Sequence, residues 1–359
     1  MARSGPKLTR IARTLGVSAA TVSNALSGKG RVSAEMVEKI RATAAELGYV
    51  PSQAGRALRT GRTGVLGLVL PDIANPLFPQ IAQAIELAAS SSGYGVLIAD
   101  SRGDVSTQTK AIERLIDRDV DGLVIVPRRG TRIADVGCPV AVIDTPSTPG
   151  NTVAADHWGG GRQIAEHLKA LGHRRVLIIG NNPASNVQND RAGGIRSVFG
   201  EGYHTDTLWI EPLEKLAGKG CPLGLAEKVA EGYTAFACIS DLHALRALTE
   251  LQRAGINVPE KASVTGFDDL IWSPVITPAL TTARMDMTEI AAIAVAALVK
   301  AISERDPSDP AIGAPVTAET SKVPMHLVIR QSAAAPPAFQ PVHTTATAAT
   351  SVTEGGPQP

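Results

Sequence analysis

Over most of the chain, short aliphatic runs alternate with helix-length amphipathic stretches. VLGLVL (65–70), GVLIAD (95–100), GLVIV (122–126), VAVID (140–144), RVLIIG (175–180), TAFACI (234–239) and ASVTGF (262–267) predict strands. The segments 77–92, 105–118, 158–171, 222–231 and 241–254 between or after them predict helices. Strands that are aliphatic throughout, rather than alternating with polar residues, are buried on both faces, as in parallel sheets covered by helices. Seven of them between 65 and 267 suit two lobes better than one sheet. An Ala-rich helix follows at 287–302, and LTT (280–282) and LVIR (327–330) read as further strands.

Before residue 64 the period changes. Leu8, Ile11, Ala12 and Leu15 stand at i, i+3, i+4 and i+7, one face of a short helix, and Gly16 ends it. Ser18 is placed to cap a second helix, SAATVSNALS, with Val22 and Leu26 four apart. A third helix over 33–47 offers Val37, Ile40, Ala44 and Leu47 to close a three-helix core. Two short helices joined by a glycine turn are the pattern of a helix-turn-helix, whose second helix enters the major groove of DNA.

Charge separates the same two regions. Residues 1–62 contain 11 Lys/Arg and 3 Glu, a balance of +8; from totals of 35 basic and 34 acidic residues, the remainder carries 24 against 31, or −7. A basic head on an acidic body is the footprint of a module for a polyanion, here double-stranded DNA. On the second helix the outward positions are Ala19, Ala20, Thr21, Ser23 and Asn24. Thr21 and Ser23 suit phosphate oxygens, the two alanines can touch a thymine methyl, and the Asn24 amide can pair with adenine.

Other chemistry is thin. Apolar residues make up 44% of the chain and aromatics 3%, so a large aliphatic core is available. No apolar run reaches the roughly 18 residues of a membrane span. MARSGPKLTR is basic but is followed by no apolar stretch, so no secretion signal is expected. Cys138, Cys221 and Cys238 show no metal or disulfide spacing, the seven histidines no ligand spacing, and GxSxG, HExxH and P-loop motifs are absent. An enzyme and a cofactor are therefore not expected. A cytoplasmic, nucleoid-associated protein is.

GVSAATVSNALSGKGRVS, followed by ELGYVPSQAGRALRTGRTGVLGLVLPDIANPLF, resembles the lactose-repressor (LacI/GalR) family of bacterial transcription regulators, and the likeness runs from about Leu8 to Gln331. The resemblance implies a fold class: an N-terminal all-α helix-turn-helix domain (7–50), a hinge (51–63) and a two-lobed, Rossmann-like, periplasmic-binding-protein-like effector domain with parallel sheets (64–332). The first lobe would hold about 64–155 and 286–316, the second about 156–285 and 317–332, with three crossings between them. From 333 to 359 the sequence turns to Ala, Pro, Thr and Gly without period and reads as a disordered tail.

The resemblance also implies roles. Ser18, Ala19, Ala20, Thr21, Ser23 and Asn24 would meet DNA, and Arg56 and Leu58 of the hinge would meet its minor groove, Leu58 as a wedge. Leu77 and Phe78, in the stretch Pro71-Asp72 to Phe78, would touch the effector, as would Arg191 and Asp268, fixing a polar ligand from two sides. Ser240 and Trp272 are weaker effector candidates, Trp272 fitting lobe surface equally well; a structural salt bridge is the competing role for Arg191 and Asp268. Asp156 is weaker still, Asn75 fits a cap as well as a ligand group, and Asp241 is expected to cap the helix that follows it. His173, in the turn GHRR, is expected to be structural. The effector would be a sugar, or less favourably a nucleobase or nucleoside. A homodimer is expected, because the Pro-rich tail lacks the heptads of a tetramer. Lys7 and Arg10 stand where the family commonly has a Thr cap and an Asp, and Asn24 where it often has Arg, so no operator sequence is carried over. The competing class is a free-standing sugar-binding protein without DNA function.

Overall fold

The computed structural model describes residues 8–27, 32–49, 61–133, 136–305, 315–318 and 322–337. Arg56 and Leu58, with the rest of 50–60, and residues 338–359 lie outside them. Helices α1 (Leu8–Leu15), α2 (Ala19–Ser27) and α3 (Ala34–Glu46) enclose a small core of Ile11, Ala12, Val22, Ala25, Ile40 and Ala44. Leu8, Leu15, Val37 and Leu47 pack partly buried around it. Gly16 turns the chain at φ +65°, a left-handed conformation that suits a residue without a Cβ.

From Gly61 onward the chain forms two compact units. The first holds the residues up to Ala154 and Met287–Lys322, the second Ala155–Asp286 and the residues from Val323 on. In the first, β1 (Val65–Leu70), β2 (Gly95–Asp100), β3 (Gly122–Ile125) and β4 (Val140–Val142) form a parallel sheet in the order β2-β1-β3-β4. Helices α4 (Leu77–Ser91) and α5 (Val105–Ile116) return the chain between strands. Helix α11 (Met287–Glu304) lies on β3, where a Cβ on Gly122 would press on Leu298 and Ile302. Arg62 Nη2 donates to Ile302 O (2.6 Å) and Thr63 N to Asp121 Oδ1 (2.8 Å), so Arg62 and Thr63 are tied to this unit.

The second unit is a six-stranded sheet in the order β12-β10-β9-β8-β6-β7. Its strands are β6 (Arg175–Gly180), β7 (His204–Trp209), β8 (Ala235–Cys238), β9 (Ser263–Phe267), β10 (Thr281–Met285) and β12 (Met325–Val328). All neighbours are parallel except β10 and β12. Helices α6 (His157–Ala170), α7 (Asn186–Arg196), α8 (Ile210–Ala217), α9 (Leu225–Ala230) and α10 (Asp241–Arg253) flank it. β5 (Ala154–Ala155) pairs with β11 (Lys322–Val323). LTT leads into β10, after which the chain passes to the first unit at Met287.

Two expectations need correction here. A disordered tail from 333 begins too early: Ala334 N donates to Ser263 Oγ (3.0 Å), and its carbonyl accepts from Ser263 Oγ (3.0 Å) and lies 2.9 Å from His173 Nε2. His173 is buried, bonded also to Thr234, and burial pushes its pKa down to about 4, so the neutral ring ties this end of the chain to the sheet. Asp241 does not cap α10. Ser240 does, its Oγ accepting from His243 N (3.3 Å), and Asp241 is fully buried.

Candidate functional site

The outward face of α2 is set by local rules. Ser18 Oγ accepts from Thr21 N (3.0 Å) and lies 2.8 Å from Thr21 Oγ1, capping the helix as its sequence predicts. Burial of Val22 and Ala25 turns Ala19, Ala20 and Asn24 to the exterior, with Thr21 and Ser23 half-buried beside them.

In the first unit, the loop after β1 leads into α4. Asn75 Oδ1 accepts from Leu77 N (3.1 Å), so Asn75 shapes the turn, and Leu77 and Phe78 begin the helix half-buried.

In the second unit, the structure brings two of the sequence candidates together. Arg191 enters from α7 and Asp268 from the end of β9, and Arg191 Nη1 stands 2.9 Å from Asp268 Oδ1 with both side chains at most 4% exposed. The guanidinium is held on every side. Nη1 donates to Ile239 O (2.9 Å), Nε to His157 Nδ1 (3.3 Å), and the plane lies 4.7 Å from the Phe267 ring centroid. Nη1 thus serves the Ile239 carbonyl and the Asp268 carboxylate at once. Asp268 and Asp269 sit at φ 105° and 50°, conformations that cost energy for residues with a side chain and cluster at functional sites.

Sequence reasoning missed the support beneath this pair. Asp241 Oδ2 accepts from Leu270 N (2.8 Å) and Ser273 Oγ (2.6 Å), and Oδ1 accepts from Thr282 Oγ1 (2.6 Å). One buried carboxylate thereby fixes the strained 268–273 loop to β10. Burial, and then the charge of Asp268, push its pKa up to about 7; burial pushes Asp268 up to about 6, against the lowering pull of Arg191. Burial and Arg191 keep His157 neutral, its pKa far below the usual value, which leaves Nδ1 free to accept. Ser240 is next to Ile239, whose carbonyl binds Arg191, and its hydroxyl is engaged as a cap. Trp272 is half-buried against the hydrophobic core of this unit, and Asp156 caps α6 through Gly159 N (2.8 Å). Among the described residues no group of three or more His, Cys, Asp or Glu could hold a metal ion.

Glycines let α6 and α7 approach until backbones touch. A Cβ on Gly161 would overlap the Arg191 carbonyl, and one on Gly194 the Trp158 carbonyl. Gly161→Ala is expected to destabilise the protein by about 2–3 kcal/mol, the cost of overpacking against backbone, as a shift of the denaturant midpoint; an unchanged midpoint would contradict this contact.

Comparison with known proteins agrees with this architecture. Residues 7–52 match the bacterial regulatory proteins of the lacI family, and 165–333 match a periplasmic binding protein-like domain. The HTH-type transcriptional regulator DegA of Bacillus subtilis is 31% identical over 295 residues, 79% of this chain and 87% of that protein. The chain belongs to the lacI family. It is a DNA-binding transcriptional regulator, not an enzyme, and the head at 7–52 sets aside a free-standing binding protein. Another member of the family, the ribose operon repressor of Haemophilus influenzae, is 29% identical over 81% of this chain and 90% of its own. The lac repressor dimer bound to operator and the anti-inducer ONPF shares the fold at TM-score 0.74 and 24% identity, over 92% of this chain and all of that one. No helix among the described residues is long and apolar enough to cross a membrane.

Proposed function

We propose that this regulator is a repressor that binds a pseudopalindromic operator as a homodimer in the cytoplasm and is switched by a small metabolite, a sugar or less favourably a nucleobase or nucleoside. Ser18, Ala19, Ala20, Thr21, Ser23 and Asn24 face the major groove; Arg56 and Leu58 face the minor groove. Leu77, Phe78, Arg191, Ser240, Asp268 and Trp272 form the effector-binding set. The observation that carries the effector reading is the buried Arg191–Asp268 pair, because a carboxylate keeps lone pairs beyond its ion pair that can accept from a ligand hydroxyl. Relatives named as ribose operon repressors, and a solved CelR–cellobiose complex of the same fold, support a sugar. The ligand shifts operator affinity by no more than its differential affinity for two arrangements of the body.

Selection of fragments of its own genome by the purified protein, followed by sequencing, tests the DNA half. A pseudopalindrome is expected; random fragments, with or without a metabolite extract, would refute it. Asn24→Ala is expected to cost about 1–3 kcal/mol on the selected operator and to relax one base position in each half-site, leaving the salt dependence unchanged. Equal loss on all sequences would assign Asn24 to phosphate contact instead.

A further inference from the structure

Arginine is concentrated at the carboxyl edge of the first unit's sheet. β2 runs into Asp100-Ser101-Arg102 and β3 into Pro127-Arg128-Arg129. These two strands flank β1, so their loops leave the same edge on either side of the loop that leads to Leu77 and Phe78. The loops meet: Arg128 Nη1 lies 3.7 Å from the place a Cβ on Gly103 would occupy.

The Arg128 loop is pinned from below. Gln108, fully buried on α5, donates from Nε2 to Val126 O (3.1 Å) and accepts at Oε1 from Arg128 N (2.9 Å) and from the Thr131 hydroxyl. One amide thus fixes the backbone on both sides of Arg128, which leaves little backbone entropy to lose when the loop binds something. The acids nearby are used otherwise. Asp100 Oδ1 accepts from Ile73 N (3.3 Å) and Arg102 N (3.1 Å), and Asp104 Oδ1 from Thr107 N (2.7 Å) and the Ser106 hydroxyl (2.8 Å). Among the described residues no carboxylate pairs with Arg102, Arg128 or Arg129. Arg128 is half-buried, Arg102 and Arg129 exposed.

Open parallel α/β sheets bind ligands beyond the carboxyl ends of their strands, and a guanidinium fork matches carboxylate and phosphate oxygens. We infer that the effector carries an acid group, a phosphate ester or a carboxylate, which Arg128 holds at the carboxyl edge of this sheet while Arg102 and Arg129 balance its remaining charge. The inference rests on the body being the effector-binding part and narrows the ligand from sugars at large to acidic ones.

The test is thermal unfolding of the full chain in inorganic phosphate against chloride at equal ionic strength, for wild type, Arg128→Gln and the control Lys110→Gln on α5. Phosphate is expected to raise the Tm of wild type and control but not of Arg128→Gln. Glucose, glucose 6-phosphate and gluconate then separate the two acids: the one with the larger rise names the acid group, and the neutral parent is expected to bind at least about tenfold more weakly. Equal response to phosphate and chloride, or a phosphate response undiminished in Arg128→Gln, overturns the inference. If a neutral sugar releases operator DNA while phosphate is inert, the acid is refuted and the effector reading stands.

Discussion

Arg191→Met is expected to destabilise the second unit by about 3–5 kcal/mol, because it breaks a buried ion pair from one side. The substitution removes the bonds to Ile239 and His157 and leaves the buried Asp268 without its cation, near the charge of Asp241. At roughly 2–4 °C per kcal/mol for a unit of this size, thermal unfolding should move down by about 10 °C. Arg191→Lys keeps the charge but not the planar fork that reaches Ile239 and His157 together, and should fall between the two. A Met variant within about 1 °C of wild type would mean that the pair is held by the fold around it and contributes nothing to it.

The second large effect belongs to Asp241, and its sign depends on pH. Asp241→Ala leaves Leu270 N, Ser273 Oγ and Thr282 Oγ1 without their acceptor and is expected to cost about 3–5 kcal/mol at pH 5, and less as pH rises toward 8. Asp241→Asn behaves differently. The Asp241 pKa is pushed up to about 7 by burial, so the folded state takes up a proton that the unfolded chain releases near the ordinary carboxylate value. The stability this contributes is fully present below about pH 4 and is lost as pH rises through about 7. Asparagine resembles the protonated form. At pH 5 the Asn variant should therefore lie within about 1–2 kcal/mol of wild type, and wild type should lose ground to it steadily up to pH 8. Denaturant midpoints across that range measure the difference. A gap that stays constant or widens in favour of aspartate would show that Asp241 folds as an ordinary ionised carboxylate. The buried His173 and the half-buried His243, each pushed down to about 4, act in the opposite sense in both proteins and cancel in the comparison.

Much of this was legible because local and global preferences coincide. Seven aliphatic runs became strands, and the i, i+3, i+4 spacing of Leu8 to Leu15 became α1. What failed to show was structure whose reason lies elsewhere in the fold. β7 (HTDTLW) is an edge strand with exposed positions, so it lacks the aliphatic run that marks the central strands. α7 (NVQNDRAGGIR) looks like a poor helix because two glycines sit inside it, yet Gly194 is where Trp158 needs its backbone to be. Asp241 satisfies the local rule for a cap, and only the packed sheet shows that its oxygens serve β10 and the loop after β9. Sequence could name Arg191 and Asp268 for one ligand; their direct contact required the tertiary structure. The Ala334 anchor was hidden for the same reason, since backbone hydrogen bonding leaves no trace in composition.

The central claim is that the body senses a molecule and the head reports it on DNA. A titration of the selected operator by fluorescence anisotropy, with wild type and Asp268→Asn, in the presence of metabolites handled by the genes beside that operator, tests it most directly. Equal operator affinity is expected for both proteins without metabolite, with a shift of affinity by at least one metabolite in wild type and loss of that shift in the variant. A variant that responds as wild type does, or a wild-type protein whose operator affinity no such metabolite changes, would contradict it.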